Sequence, residues 1–209
     1  MKTLSIKKTS AKEKIVTVAL QLFFEHGYKG VSYEMLMSKT GLSKGAIYHH
    51  FTSKNELLVS TFSFLAASFD ENSKINFEDE ISDFKSFKKI FIRLKLEQLS
   101  NFKKMIKAES LKSNKLLFFV EALNENKKLI HVVNKIMKQE KLFIEKCLSF
   151  IKSNPSLLKG KSLSVWAEIL FLLLQGAEAK TFFVEGEVTE TNFRKYYAKA
   201  FDNFENLLH

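Results

Sequence analysis

At 209 residues the chain is longer than a single-core domain of about 100–150 residues and short for two full ones, so a small module on a larger one is expected. One Pro and seven Gly supply too little turn chemistry for a β-sandwich, and Lys, Leu, Glu, Ala and Phe fill segments of helical period, so the expected class is all-α. The formal charge of +10 is concentrated at the front, where residues 1–61 hold nine Lys against four acids, and such a surface suits a polyanionic partner.

Ser10 followed by Glu13 is a capping-box signature, and Ile15, Ala19, Leu22 and Phe23 then recur at helical spacing until Gly27. A first helix is predicted over 10–26. Ser32 can cap a second, two-turn helix with Leu36 inward, and Gly41 supplies a position tolerant of positive φ. Ser43 caps a third helix, in which Ile47 and Phe51 face inward. Two short helices with a Gly turn between them make a helix-turn-helix. A second capping box, Ser53 with Glu56, opens a fourth helix with Leu57, Leu58, Phe62, Leu65 and Phe69 packing back. The link from Phe51 to Ser53 is too short for a hinge, so movement of the fourth helix passes directly to the helix-turn-helix. A module over 1–53 and a larger domain over 54–209 are expected.

Five or six further helices follow from about residue 79. Phe84, Phe87, Phe91, Leu94 and Phe102 share one side of the first. A polar break at Ser113 and Asn114 precedes Leu117, Phe118 and Phe119, and a long amphipathic helix carries Leu129 through Ile151 until Pro155 ends it. Residues 162–184 leave no wide polar face and read as a helix buried nearly all round. The last helix, about 190–208, sets Phe193, Tyr197, Phe201 and Phe204 in one apolar stripe, and one subunit's core is not expected to hide both stripes.

The segment FFEHGYKGVSYEMLMSKTGLSKGAIYHHFTSKNELL resembles the DNA-binding signature of the tetracycline-repressor (TetR) family. Phe24, Gly27, Tyr28, Leu36, Gly41, Ser43, Lys44, Gly45, Tyr48, Phe51, Lys54 and Leu57 carry the resemblance, which covers about residues 10–60. It implies a repressor that binds a palindromic operator as a homodimer and is released by a small molecule. In a helix-turn-helix the second helix enters the major groove, which brings Lys44, Gly45, Ala46, Tyr48 and His49 within reach of base edges. Helix N-termini suit phosphates, here Ser32 with Tyr33, Ser43, and Ser53 with Lys54. The resemblance gives most weight to Tyr48 and Lys54. Lys7, Lys8, Lys12 and Lys14 lie where a flanking phosphate or minor groove is in range.

The resemblance also implies that the last two long helices pair with those of a second copy, for which Leu170, Leu174, Ala177, Phe193, Tyr197, Phe201 and Phe204 are candidates. Two recognition helices about one duplex turn apart also require a two-fold dimer. The family's middle helices generally enclose an effector. Phe87, Phe91, Phe118 and Phe119 are pocket candidates, with Phe143, Cys147, Trp166 and Gln175, and imply an apolar or aromatic ligand. Glu97 and Glu121 are candidates for a cationic one if buried.

The single Cys147 forms no intrachain disulfide and sits in an apolar stripe where an inert thiol is expected. His49 and His50, adjacent on a helix, diverge rather than share an ion, so neither metal nor cofactor is expected. No nucleophile–base set or phosphate-cradling Gly loop points to an enzyme. The N-terminus lacks the apolar run of a signal peptide, and the longest apolar run, 169–174, is far short of the ~18 residues of a membrane span, so a cytoplasmic location is expected. A regulator governed by a protein partner is the alternative. A filled middle domain would mark it, whereas a cavity above about 300 Å³ favours a ligand.

Overall fold

The computed structural model describes residues 10–68, 77–107, 113–151, 162–183 and 188–208. Lys7, Lys8, Phe69 and Pro155 lie outside them, as do the side chains of Leu117 and Phe119. The described residues are helical: α1 (Ala11–Gly30), α2 (Tyr33–Thr40), α3 (Lys44–His50), α4 (Lys54–Ser68), α5 (Phe77–Glu80), α6 (Phe84–Met105), α7 (Ser113–Glu125), α8 (Leu129–Ser149), α9 (Leu163–Phe183) and α10 (Glu190–Leu208).

Local chemistry sets the ends of the first helices. Ser10 Oγ accepts from the Glu13 amide while the Glu13 carboxylate accepts from the Ser10 amide, both at 3.1 Å. The helix runs past the expected stop. Gly27 leaves helical geometry at φ 72°, ψ 167°, and one more turn then continues to Gly30. A Cβ at Gly27 would lie 3.1 Å from Oε2 of the exposed Glu121 side chain, which can move aside, so it is the positive φ that calls for glycine. Gly41 closes α2 in the left-handed region at φ 68°, donating its N–H to Met37 O at 2.8 Å. At α4 the expected box is displaced. Ser53 Oγ accepts from the Glu56 amide, but the Glu56 carboxylate reaches Thr52, accepting from its amide and its hydroxyl at 2.8 Å each. The expected break at Ser113 and Asn114 is instead the first turn of α7, where polar residues are at home.

α1 packs on α2, α4 and α7, while α4 continues onto α8 and so joins the helix-turn-helix to the larger domain. Polar links reinforce that joint. The Gln21 side-chain amide donates to Met105 O at 3.0 Å, Asn126 Nδ2 to Asn55 Oδ1 at 2.8 Å, and Lys29 pairs with Glu125 at 3.1 Å. In the larger domain α9 runs against both α8 and α10, and α10 packs on α6. An aromatic cluster fills that contact: Phe201 lies 5.7, 5.3 and 5.5 Å from Phe84, Phe87 and Phe91, and Phe84 stacks on Phe204 at 5.7 Å.

Two expectations about α9 and α10 are corrected. The α10 stripe is hidden by its own subunit, since Phe193, Tyr197, Phe201 and Phe204 are each 2% exposed or less. Conversely, α9 is not buried all round. Val165 is 43% and Leu172 58% exposed, and with half-buried Ile169 and exposed Gly176 they form a stripe at i, i+4, i+7 and i+11. Leu207 of α10 is also 58% exposed.

Candidate nucleic-acid interface and cavity

The helix-turn-helix presents its candidates on one outward side because Leu36, Ile47 and Phe51 are buried and turn the opposite sides of α2 and α3 outward. Ser32 and Ser43 cap their helices by accepting from the Met35 and Ala46 amides at 3.3 and 3.2 Å. The Ser43 hydroxyl proton remains available to a phosphate, whereas the Ser32 hydroxyl also faces the Glu34 carboxylate, whose pKa it lowers. Lys44, Gly45 and His49 are exposed, and Ala46 is half-buried. Tyr48, 39% exposed, stacks on Tyr33 of α2 with ring centres 4.6 Å apart and an angle of 13°, while the Lys44 ammonium lies 5.8 Å from the Tyr48 ring. Tyr33 and Tyr48 were expected separately, at a helix start and in a recognition helix; the fold makes them one aromatic step. Burial and then Tyr48 push the Tyr33 phenol up to about 12, so it stays protonated as a donor.

Lys54 is held rather than free. Its ammonium sits 4.6 Å from the centre of the Tyr28 ring and donates to Lys29 O at 3.3 Å, and burial lowers its pKa. The charge is fixed at the start of α4 beside the turn that ends α1. His49 and His50 meet edge-on at 5.3 Å, and among the described residues no three His, Cys, Asp or Glu converge on a metal position.

A cavity of about 320 Å³ lies between α4, α6, α8, α9 and α10. Of the pocket candidates, Phe91, Phe143 and Gln175 line it. The others belong elsewhere. Phe87 packs into the α6–α10 cluster, Phe118 against Phe23, Phe24 and Phe62, and Trp166 edge-on to Phe204 at 5.8 Å. Cys147 is fully buried with its thiol pKa pushed up by burial, and it too is absent from the wall. The Phe119 side chain is outside the described residues.

Glu97 and Glu121 are exposed, Glu97 facing Arg93 at 3.9 Å and Glu121 facing Gly27; neither reaches the cavity. The acids that do are Glu140 of α8 and Glu178 of α9, with Lys95 of α6 between them. Lys95 Nζ lies 2.7 Å from Glu140 and 4.0 Å from Glu178. Burial alone would lower the Lys95 ammonium, but the two carboxylates reverse this and hold its pKa above the ordinary value. A signal for Glu178 existed in the sequence. Phe171, Leu174, Gln175, Glu178 and Phe182 fall at i, i+3, i+4, i+7 and i+11, so one stripe of α9 turns polar halfway along.

The comparisons with known proteins follow this division. Residues 15–61 match the family model described as bacterial regulatory proteins, tetR family. The HTH-type transcriptional repressor AcnR of Corynebacterium glutamicum is 41% identical over 54 residues, which are 26% of this chain and 29% of AcnR. The match thus spans under a third of that relative. Solved structures show a likeness of fold along nearly the whole chain. Reduced NemR of Escherichia coli superposes with a TM-score of 0.64 at 17% identity, covering 94% of this chain and 97% of NemR. SmeT, the repressor of a Stenotrophomonas maltophilia multidrug efflux pump, gives 0.60 at 17% identity, covering 95% and 90%.

Proposed function

From the match of residues 15–61 to the tetR family of bacterial regulatory proteins, we propose that the chain represses transcription as a homodimer on an inverted-repeat operator and releases it when a small molecule fills the cavity. The observation that carries the reading is the course of α4. This helix begins at Lys54, three residues after the α3 cap Phe51 and directly after Ser53, and its Phe62, Leu65 and Ala66 form part of the cavity wall. A ligand that shifts this wall tilts the helix-turn-helix, and hence the spacing of two recognition helices. The functional boundary between DNA-reading and regulatory parts is then 53/54. The cavity volume favours this reading over control by a protein partner, which would suit a filled core.

On the DNA, α3 lies in the major groove with Lys44, Gly45, Ala46, Tyr48 and His49 toward base edges. Ser32, Tyr33, Ser43, Ser53 and Lys54 hold phosphates. The second copy covers the α9 stripe of Val165, Ile169, Leu172 and Gly176 together with Leu207, because Val165, Leu172 and Leu207 are the large apolar side chains of these two helices that the described subunit leaves exposed. A regulator that works on the operator does so in the cytoplasm, where bacterial DNA lies; among the described residues no helix is long and apolar enough to cross a membrane.

Selection of bound duplexes from random DNA tests the proposal. Recovery of an inverted repeat with half-sites about one helical turn apart is expected, and an asymmetric consensus would overturn the dimeric reading. Lys54→Ala should weaken binding to all duplexes alike and reduce the slope of log affinity against log salt by about one. An unchanged slope would show that the ammonium only braces Tyr28 and the end of α1.

A further inference from the structure

We propose that the cavity selects a monocationic ligand carrying an aromatic or apolar group, with the Glu178–Lys95–Glu140 triad supplying the counter-charge. The inference rests on the reading of the cavity as an effector site. Among the described residues that line it, the charged ones are Lys95, Glu140 and Glu178, one ammonium against two carboxylates, which leaves one negative charge in excess.

The distances say where that excess lies. Glu140 has Lys95 at 2.7 Å on one oxygen and the Gln175 amide at 3.4 Å on the other, whereas Lys95 stands 4.0 Å from Glu178. The single ammonium is committed between two acids and has nothing left for an anion. Glu178 is the under-compensated member. Burial raises its pKa against the opposing pull of Lys95, which marks its ionised form as costly until another cation arrives. The Tyr197 hydroxyl, fully buried beside Glu178, eases the ionised carboxylate in part, but as a neutral donor it leaves the excess negative charge in place.

The rest of the wall suits such a guest. Phe62, Phe91, Phe102, Phe143, Phe182 and Phe193 come from five helices and offer ring faces that attract a cation as well as an apolar body. Lys95 already uses one of them, lying 5.7 Å from the Phe91 ring. The volume of about 320 Å³ is at the small end of ligand pockets, which fits a compact guest of one or two rings.

The test is direct titration of the full-length protein, without DNA, using three probes of one shape. These are benzyltrimethylammonium, its uncharged carbon isostere neopentylbenzene, and the anion benzylsulfonate. The cation should bind and the anion should not. Glu178→Gln should weaken the cation about tenfold while leaving the neutral isostere within about twofold. Glu140→Gln should give the same loss by a different route, since it frees Lys95 for Glu178 and removes the same unit of charge. Circular dichroism of both variants establishes that they fold.

Three results would overturn the assignment: no binding of the cation at millimolar concentration, preference for the anion, or a cation affinity that neither Gln variant changes selectively. Operator release is measured separately. A cation that binds with this dependence but leaves the operator complex intact would refute ligand-controlled repression and spare the cavity assignment. Release that ignores both glutamates would do the reverse.

Discussion

Leu172→Glu is expected to yield a folded, helical monomer that has lost most of its operator affinity. Leu172 is 58% exposed in the subunit, so a carboxylate there costs the single chain little. In a dimer built on the α9 stripe it would bury two like charges near the two-fold axis, each without a partner. Losing the second recognition helix then removes the gain from two linked half-site contacts, about 100- to 10,000-fold in affinity. Sizing and an operator titration check both parts. The contrast with Phe201→Ala separates interface from core, because Phe201 is fully buried against Phe84, Phe87 and Phe91. That change should cost about 3–5 kcal/mol of stability and be read in a denaturant melt. If Leu172→Glu remains dimeric, the second copy sits on another face.

The second large effect is at Tyr48. Tyr48→Ala should lower operator affinity by about 1–3 kcal/mol, roughly 5- to 150-fold, the range of a good base contact. Binding to random DNA should change far less, since phosphate contacts carry it. Helicity should be retained because the ring is 39% exposed and outside the core. Tyr48→Phe discriminates between two uses of the side chain. It keeps the stack on Tyr33 at 4.6 Å but removes the hydroxyl. Full affinity in Tyr48→Phe would assign the effect to the aromatic step, and a loss equal to that of alanine would assign it to a hydrogen bond. Wild-type affinity in Tyr48→Ala would remove α3 as the reading helix.

The helix-turn-helix was legible residue by residue, since its determinants act within a few residues of one another. The Ser10–Glu13 box, the Ser32 and Ser43 caps and the left-handed Gly41 close hydrogen bonds spanning three or four positions, which a linear pattern displays. The same reading placed Ile47 and Phe51 inward, and both are buried. Its errors there were small and local, such as the Glu56 carboxylate reaching Thr52 rather than Ser53. The pocket was legible only as a region. Phe87 and Phe91 lie one turn apart on the same stripe of α6, yet only Phe91 lines the cavity, because α10 fills the space in front of Phe87.

By itself, then, the sequence determined the all-α class, the reading module and the helices that follow, because each depends on periodicity and capping within one segment. Tertiary structure alone decided which apolar side of α9 met its own core and which was left in water, and which acids joined the cavity wall. Leu170 and Leu174 on one side, Val165 and Leu172 on the other, are chemically alike, so no pattern along the chain separates them. Glu178 and Glu97 both sit on helices rich in apolar residues. What distinguishes them is the Lys95 ammonium and the Phe-lined wall that other helices bring to one of them from far away in sequence.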